Sequence, residues 1–379
     1  MTEKKTGLSA NEAWKALFEK YPIAETVEKE GTFSIRADQI REFREPRLMA
    51  KWDSSDSLPE VLRKHKINIL PDSRTSYVLG DFLLYQEIPE LSEHVTQMTH
   101  IEMPDYESID VNNINSEANA IHGLILSGIL DDFLGEGRND ATFDGRMGTG
   151  VFDFRVDTVR GVSQSIHVEN AQCEIDGGFE NRNSVVIMEA KNVVHPDFHI
   201  RQLYYPYRIW RTRVKKPIRL LFCVYSNMIY RLFEYRFRDP ENYSSIELVQ
   251  MKNYSLQDTS ISLEELKRVR RETPVRTDDA MEGTRIPFME RIISLLENLY
   301  ENPMTSQQIA ELMDFDIRQS DYYYNAGKYL GLFEKQKEEG QILTMLTALG
   351  QRVFKLNYKE RQLKLVSLML EHRIFAEFF

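Results

Sequence analysis

The chain has 379 residues, too many for one typical core, so two or three domains are expected. Its 42% apolar and 11% aromatic residues exclude general disorder, and no apolar run reaches the roughly 18 residues that a membrane span needs. A net charge of −11 argues against a non-specific nucleic-acid binder but leaves room for a local basic face.

The N-terminal stretch MTEKKTGLSANEAW carries no apolar segment of signal-peptide type, and Cys173 and Cys223 form neither a disulfide framework nor a metal motif. Both cysteines read as ordinary thiols in a reducing cytoplasm, which is the expected location. Residues 1–100 read as an N-terminal α+β region. The spacing predicts helices over Ala10–Tyr21, Ala37–Glu42 and Leu58–Lys64, then strands over Lys66–Leu70 and Ser76–Leu84. The loop REPRLMAKWD between them brings Arg44, Arg47 and Lys51, and Arg can read guanine edges. This region is therefore expected to help recognise DNA.

Residues 101–256 read as α/β. Ser116 is a suitable N-cap for one long helix over Glu117–Leu134, which GEGRND ends. GVFDFRVDTV alternates as a half-buried strand should, and SIHVENAQCEID does so less cleanly. SVVIMEAK is nearly all apolar and suits a central strand buried on both faces. A basic helix over Asp197–Arg213 follows, interrupted at Pro206. It carries Arg201 and Arg208 within a stretch where eight basic residues from Lys191 to Arg219 face the single acid Asp197. His195 and His199 are expected to be exposed or to face DNA. The strands IRLLFCVY and MIYRLFEYRF flank a turn at Ser226-Asn227, and SIELVQMKNY closes the region.

Residues 257–285 read as a polar linker. In residues 286–379 the helical stripe begins at Pro287, with Phe288, Ile292, Leu295 and Leu299. The short helix SQQIAELMDF, with Thr305 as its cap, and the helix Asp316–Leu330 then form a helix-turn-helix. Two short strands, Phe333–Lys335 and Ile342–Leu346, follow as a wing.

The segment EIDGGFENRNSVVIMEAKN holds the chemistry. On a strand, Glu189 and Lys191 share a face, roughly 7 Å apart at about 3.3 Å per residue. The Gly- and Asn-rich turn brings Asp176 opposite or diagonal to Glu189. Two adjacent carboxylates need a cation between them, and oxygen ligands completed by water and phosphate suit magnesium. Asp176, Glu189 and the Ala190 carbonyl are the candidate ligands. Lys191 is placed to orient a water or to stabilise charge on a phosphate. The other Glu-x-Lys copies, at Glu3 and Glu265, lack this setting.

Asp176 and Glu189-Ala190-Lys191, followed by helix, strand and strand, resemble the PD-(D/E)xK nuclease superfamily, and in particular type II restriction endonucleases. The resemblance covers about residues 110–256. It implies a restriction-endonuclease-like α/β core, a mixed central sheet flanked by helices, and magnesium-dependent, sequence-specific hydrolysis of double-stranded DNA. Glu117 is similar to the acid that many members carry on the preceding helix. Gln202, with Tyr205 in QLYYPY, is similar to a motif that touches the site or the DNA backbone. Ile175 stands where the motif has Pro. The C-terminal region resembles a winged helix, whose recognition helix would present Arg318, Gln319, Ser320, Tyr323, Asn325 and Lys328 to DNA. A homodimer is expected because cutting both strands usually needs two active sites. The alternatives are a winged-helix regulator with an inert nuclease-like domain, and a methylation-dependent or repair nuclease of the same superfamily.

Overall fold

The computed structural model describes residues 8–89, 94–98, 101–111, 114, 116–276, 289–313, 315–338 and 340–378. The protein is mixed α/β, and its centre is a seven-stranded mixed sheet flanked by helices. Numbered along the chain, its strands are β1 (Val95–Gln97), β2 (Asp140–Gly148), β3 (Gln172–Glu180), β4 (Val185–Lys191), β5 (Ile218–Ser226), β6 (Ile229–Phe237) and β7 (Ile246–Ser255). The spatial order is β1-β7-β6-β5-β4-β3-β2. β4 and β5 pair parallel, β7 and β1 pair parallel, and the remaining neighbours are antiparallel.

β4 is central because its side chains are apolar on both faces. Ile187 packs with Leu220 and Phe222 against helix Arg201–Trp210, through Leu203, Tyr204 and Tyr205. Val186, Met188 and Ala190 pack the other way, against Ala120 and Leu124 of helix Glu117–Leu126. Pro206 lies inside helix Arg201–Trp210 without ending it.

Several predicted elements differ. The long helix 117–134 is two helices, Glu117–Leu126 and Ile129–Leu134, separated where Gly128 adopts φ +72°. SIHVENAQCEID is not one strand. Ser163–Glu169 pairs with Val151–Asp157 in a side hairpin, and the chain leaves it at Asn170, φ 55°, to enter β3. The basic helix starts at Arg201 because Asp197–His199 pairs with the strand Tyr85–Glu87 instead. That pairing also carries Phe82 and Leu84 into the central core rather than the N-terminal one. The polar linker contains a helix, Leu263–Glu272, with a capping box between Ser262 and Glu265.

The N-terminal unit packs helices Ala10–Lys20 and Ile23–Glu30 and a three-stranded antiparallel sheet around fully buried Trp14. The Trp14 indole N–H donates to the Met49 carbonyl. The C-terminal unit contains helices Met289–Glu301, Ser306–Leu312 and Ile317–Tyr329, then the hairpin Phe333–Glu338/Gln341–Leu346 and three further helices. Pro287 and Phe288 lie outside the described residues. Among the described residues no helix is long and apolar enough to cross a membrane.

Candidate active site

β3 and β4 pair from Glu180↔Val185 to Gly177↔Met188, so Asp176 and Glu189 come next in register. There the ladder gives way to a side chain: the Ala190 N–H donates to Asp176 Oδ2 at 2.9 Å. Glu189 is 6% exposed. Its Oε1 accepts from Lys191 Nζ at 2.6 Å and from the Gln202 amide of the following helix. The other end of that amide, Gln202 Oε1, is buried with no hydrogen-bond partner among the described residues. Glu117, in the first turn behind the Ser116 cap, brings Oε1 to 3.8 Å from Lys191 Nζ. The five residues assigned catalytic roles from the sequence all line one cleft of about 890 Å³, Glu117 being more exposed than Lys191 beside it.

Sequence reasoning missed one member. Asp53 of the N-terminal unit places Oδ2 3.7 Å from Lys191 Nζ. Its carbonyl accepts the His199 N–H at 2.9 Å. The next two residues are tied to Asp197: Ser54 Oγ donates to Oδ1 at 2.8 Å, the Ser55 N–H donates to the same oxygen at 2.9 Å, and Ser55 Oγ donates to Oδ2. Only the basic residues just before Asp53 hinted that this loop approaches the site.

The electrostatics follow from a largely buried ammonium with acids around it. Burial, the largest influence, pushes the Glu189 carboxyl up to about 8 against the pull of Lys191. Burial also raises Glu117. At Asp53 burial works upward too, but the charges of Lys191, Lys51 and Arg201 overcome it and hold the carboxyl at about 2. Burial alone would lower Lys191, yet Glu189, Asp53, Glu117 and Asp176 together raise it well above its ordinary value.

Among the described residues no three His, Cys, Asp or Glu side chains form a ready-made metal cage. The donor set is instead Asp176 and Glu189, which both line an open cleft, Glu189 being buried with Lys191 as its only charged partner among the described residues. That fits magnesium, which binds through one or two carboxylates and keeps waters and substrate oxygens. Ala190 contributes its N–H to Asp176, and this is the contact that positions the acid.

Arg41, Arg47, Lys51, Arg74, Arg146 and Arg201 line the same cleft. Arg47 and Lys51 also line an adjoining trench of about 1060 Å³ that reaches Arg318 on the C-terminal unit. Arg44 lines that trench but is half-buried, and its guanidinium donates to the Leu8 carbonyl. Arg208 is not free. It donates to the Asp153 and Pro240 carbonyls and pairs with Glu241, so it braces the side hairpin. Tyr205 is fully buried and donates to the Pro71 carbonyl. On helix Ile317–Tyr329, Arg318, Asn325 and Lys328 are exposed and Gln319 is half-buried. Ser320 and Tyr323 face inward instead: Ser320 Oγ donates to the Ser306 carbonyl and Tyr323 stacks on Phe315. His195 and His199 are buried rather than exposed.

Three family models match successive stretches of the chain, each described as a domain of unknown function: DUF6996 over residues 11–79, DUF6997 over residues 80–255 and DUF7226 over residues 291–379. No curated protein and no solved structure matches. The candidate catalytic residues all fall within the second stretch, and Asp53 falls within the first.

Proposed function

We propose that the protein is a magnesium-dependent, sequence-specific DNA endonuclease of the PD-(D/E)xK type. The observation that carries this reading is the convergence of Asp176 from β3, Glu189 and Lys191 from β4, and Glu117 and Gln202 from two helices, in one cleft rimmed by arginines. The mixed sheet, with Asp176 midway along β3 where its pairing with β4 stops, Glu189 near the end of β4, and helices on both faces, supports a restriction-endonuclease-like core. The helices and hairpin after residue 289 support a winged helix, with Arg318, Asn325 and Lys328 as its DNA-facing residues.

Asp176 and Glu189 are the residues that would hold magnesium, whose Lewis acidity polarises a phosphodiester and acidifies a bound water. Lys191 holds its ammonium beside the attacking water and the developing phosphate charge. Gln202 fixes the Glu189 carboxylate by donating to it. The Ala190 N–H fixes Asp176. Arg47, Lys51 and Arg201 line the cleft where neighbouring phosphates would lie.

The test is incubation with unmethylated phage-sized DNA and magnesium, followed by sequencing of the fragment ends. Discrete ends are expected, and Asp176→Asn should abolish them. No cleavage by the wild-type chain on methylated and unmethylated DNA, with magnesium or manganese, would overturn the proposal.

A further inference from the structure

We infer that Asp53 is a positioning residue for Lys191, through which the N-terminal unit controls the nuclease site. This rests on the nuclease reading above and assigns a role to a residue outside the motif that suggested it.

The geometry starts with the seat of the loop. Asp53, Ser54 and Ser55 are each hydrogen-bonded to the segment 197–199, just before helix Arg201–Trp210. Asp197 takes three of those bonds, and both Ser54 and Asp197 are buried. The loop is thus fixed to the same piece of chain that leads into the Gln202 helix. From that seat the Asp53 carboxylate faces Lys191, with only 18% of its side chain exposed. Lys51 pairs with it from the cleft side at 3.8 Å.

The need for a second acid follows from what Glu189 must do. Lys191 is held at 2.6 Å by Glu189, the carboxylate proposed to serve the metal. A carboxylate that gives its charge to a metal holds an ammonium less firmly. Asp53 and Glu117 are then the remaining acids around Lys191, at 3.7 and 3.8 Å. Asp53 is the more enclosed of the two, 18% against 41% exposed, so its position is the better fixed. An ammonium kept in place by Asp53 stays beside the reacting water instead of swinging into the cleft.

The chain order adds control. Arg47, which opens the short helix Arg47–Ala50, and Lys51, which follows it, line the cleft and lie just ahead of Asp53 in the chain. Phosphates gripped by Arg47 and Lys51 press on the segment that carries Asp53. Binding in the N-terminal unit and alignment of Lys191 are then one event, a route by which correct DNA contacts favour cleavage over binding alone.

The experiment measures cleavage kinetics and DNA affinity of the full chain for wild type, Asp53→Asn, Asp53→Glu and Asp197→Asn, with folding of each checked by circular dichroism. Asp53→Asn keeps size and removes charge. It should lower kcat by about 10- to 100-fold, the range for residues that orient an active-site group, with KM changed by less than about threefold. Asp53→Glu should recover part of the lost kcat. Asp197→Asn leaves the Asp53 charge intact but loosens its seat, and should lower kcat in the same direction. Wild-type cleavage with Asp53→Asn equally active would overturn this inference and leave the nuclease reading standing. A loss in KM alone would also overturn it, since that marks a DNA contact. No cleavage by wild type would overturn both.

Discussion

Glu189 sits between opposing demands: its strand is apolar on both faces, yet its proposed role as a metal ligand calls for charge. Lys191 and the Gln202 amide donate to it and favour the charged form, but burial outweighs them and pushes its carboxyl up to about 8. The folded protein therefore binds the Glu189 proton more tightly than the unfolded chain, whose ordinary value is 4.5. Stability from this group is fully present below that ordinary value and is lost as pH rises through about 8. Without divalent metal, the Tm should fall from about pH 6 to about pH 8.5, and Glu189→Gln should flatten that slope. Because a ligating carboxylate must be deprotonated, magnesium should raise Tm more at the higher pH. A calorimetric pH series with and without magnesium checks both expectations. Asp176 has a second duty beside its proposed metal. Asp176→Asn keeps an oxygen for the Ala190 N–H and should spare stability while ending cleavage. Asp176→Ala orphans that buried donor and should also cost about 1–3 kcal/mol in urea unfolding. Asp176, Glu189 and Lys191 were legible in the sequence because strand alternation and one turn are local. Asp53 was not, because only the pairing of Asp197–His199 with Tyr85–Glu87 and the serine ties bring it in. Arg208, Ser320 and Tyr323 misled for a related reason: a polar side chain on a helix can face inward and be satisfied there, and composition does not say which way it turns.

At the scale of elements, the central strands and the C-terminal helices and hairpin could be read from periodicity, since their apolar residues repeat at the period of the structure they form. What escaped were edges set by distant partners. Helix Arg201–Trp210 loses its expected first turn to a strand pairing, and the long helix after Ser116 breaks at Gly128. Helix Leu263–Glu272 was different, for its signal was present: Ser262 and Glu265 stand at capping-box spacing. Its dense charge has the composition of a solvated linker. Gly327 shows how an element can override propensity. A glycine inside a helix costs about 1 kcal/mol relative to alanine. Here the Phe333 ring of the following hairpin lies 2.0 Å from where a Cβ would stand, and Phe333 is 1% exposed, so the ring has no room to retreat. Gly327→Ala should therefore destabilise the C-terminal unit by about 1–3 kcal/mol despite its better helix propensity. Chemical denaturation followed by tyrosine fluorescence would measure it, and a gain in stability would contradict the close packing of helix on hairpin.

The whole molecule is tied together by polar contacts that bridge its three units. Asn11 donates to Asp316 at 2.7 Å and Arg291 to Asp56 at 2.7 Å, joining the N-terminal and C-terminal units. The central sheet meets the C-terminal unit at the β5–β6 turn, where the Asn227 N–H and Ser226 Oγ both donate to Glu297. Glu297 is held from the other side by Arg361, whose side chain is 1% exposed, at 2.7 Å. One buried carboxylate thus links the sheet that carries β4 to the helices proposed to meet DNA. Two charges this deep are stable only as a pair, because each alone would lose its hydration without repayment. Arg361→Met should leave Glu297 uncompensated and cost about 3–5 kcal/mol. The loss should fall on the C-terminal unit and its junction with the sheet, so calorimetry should show an earlier transition separating from the main one. Hydrogen exchange at the Asn227 amide should accelerate with it. Removing both charges, in Arg361→Met with Glu297→Gln, should cost less than the single change, since no charge is then left buried alone. A double variant no more stable than Arg361→Met would mean that Glu297 draws its stability from the turn and not from the arginine, and that the two units are coupled elsewhere.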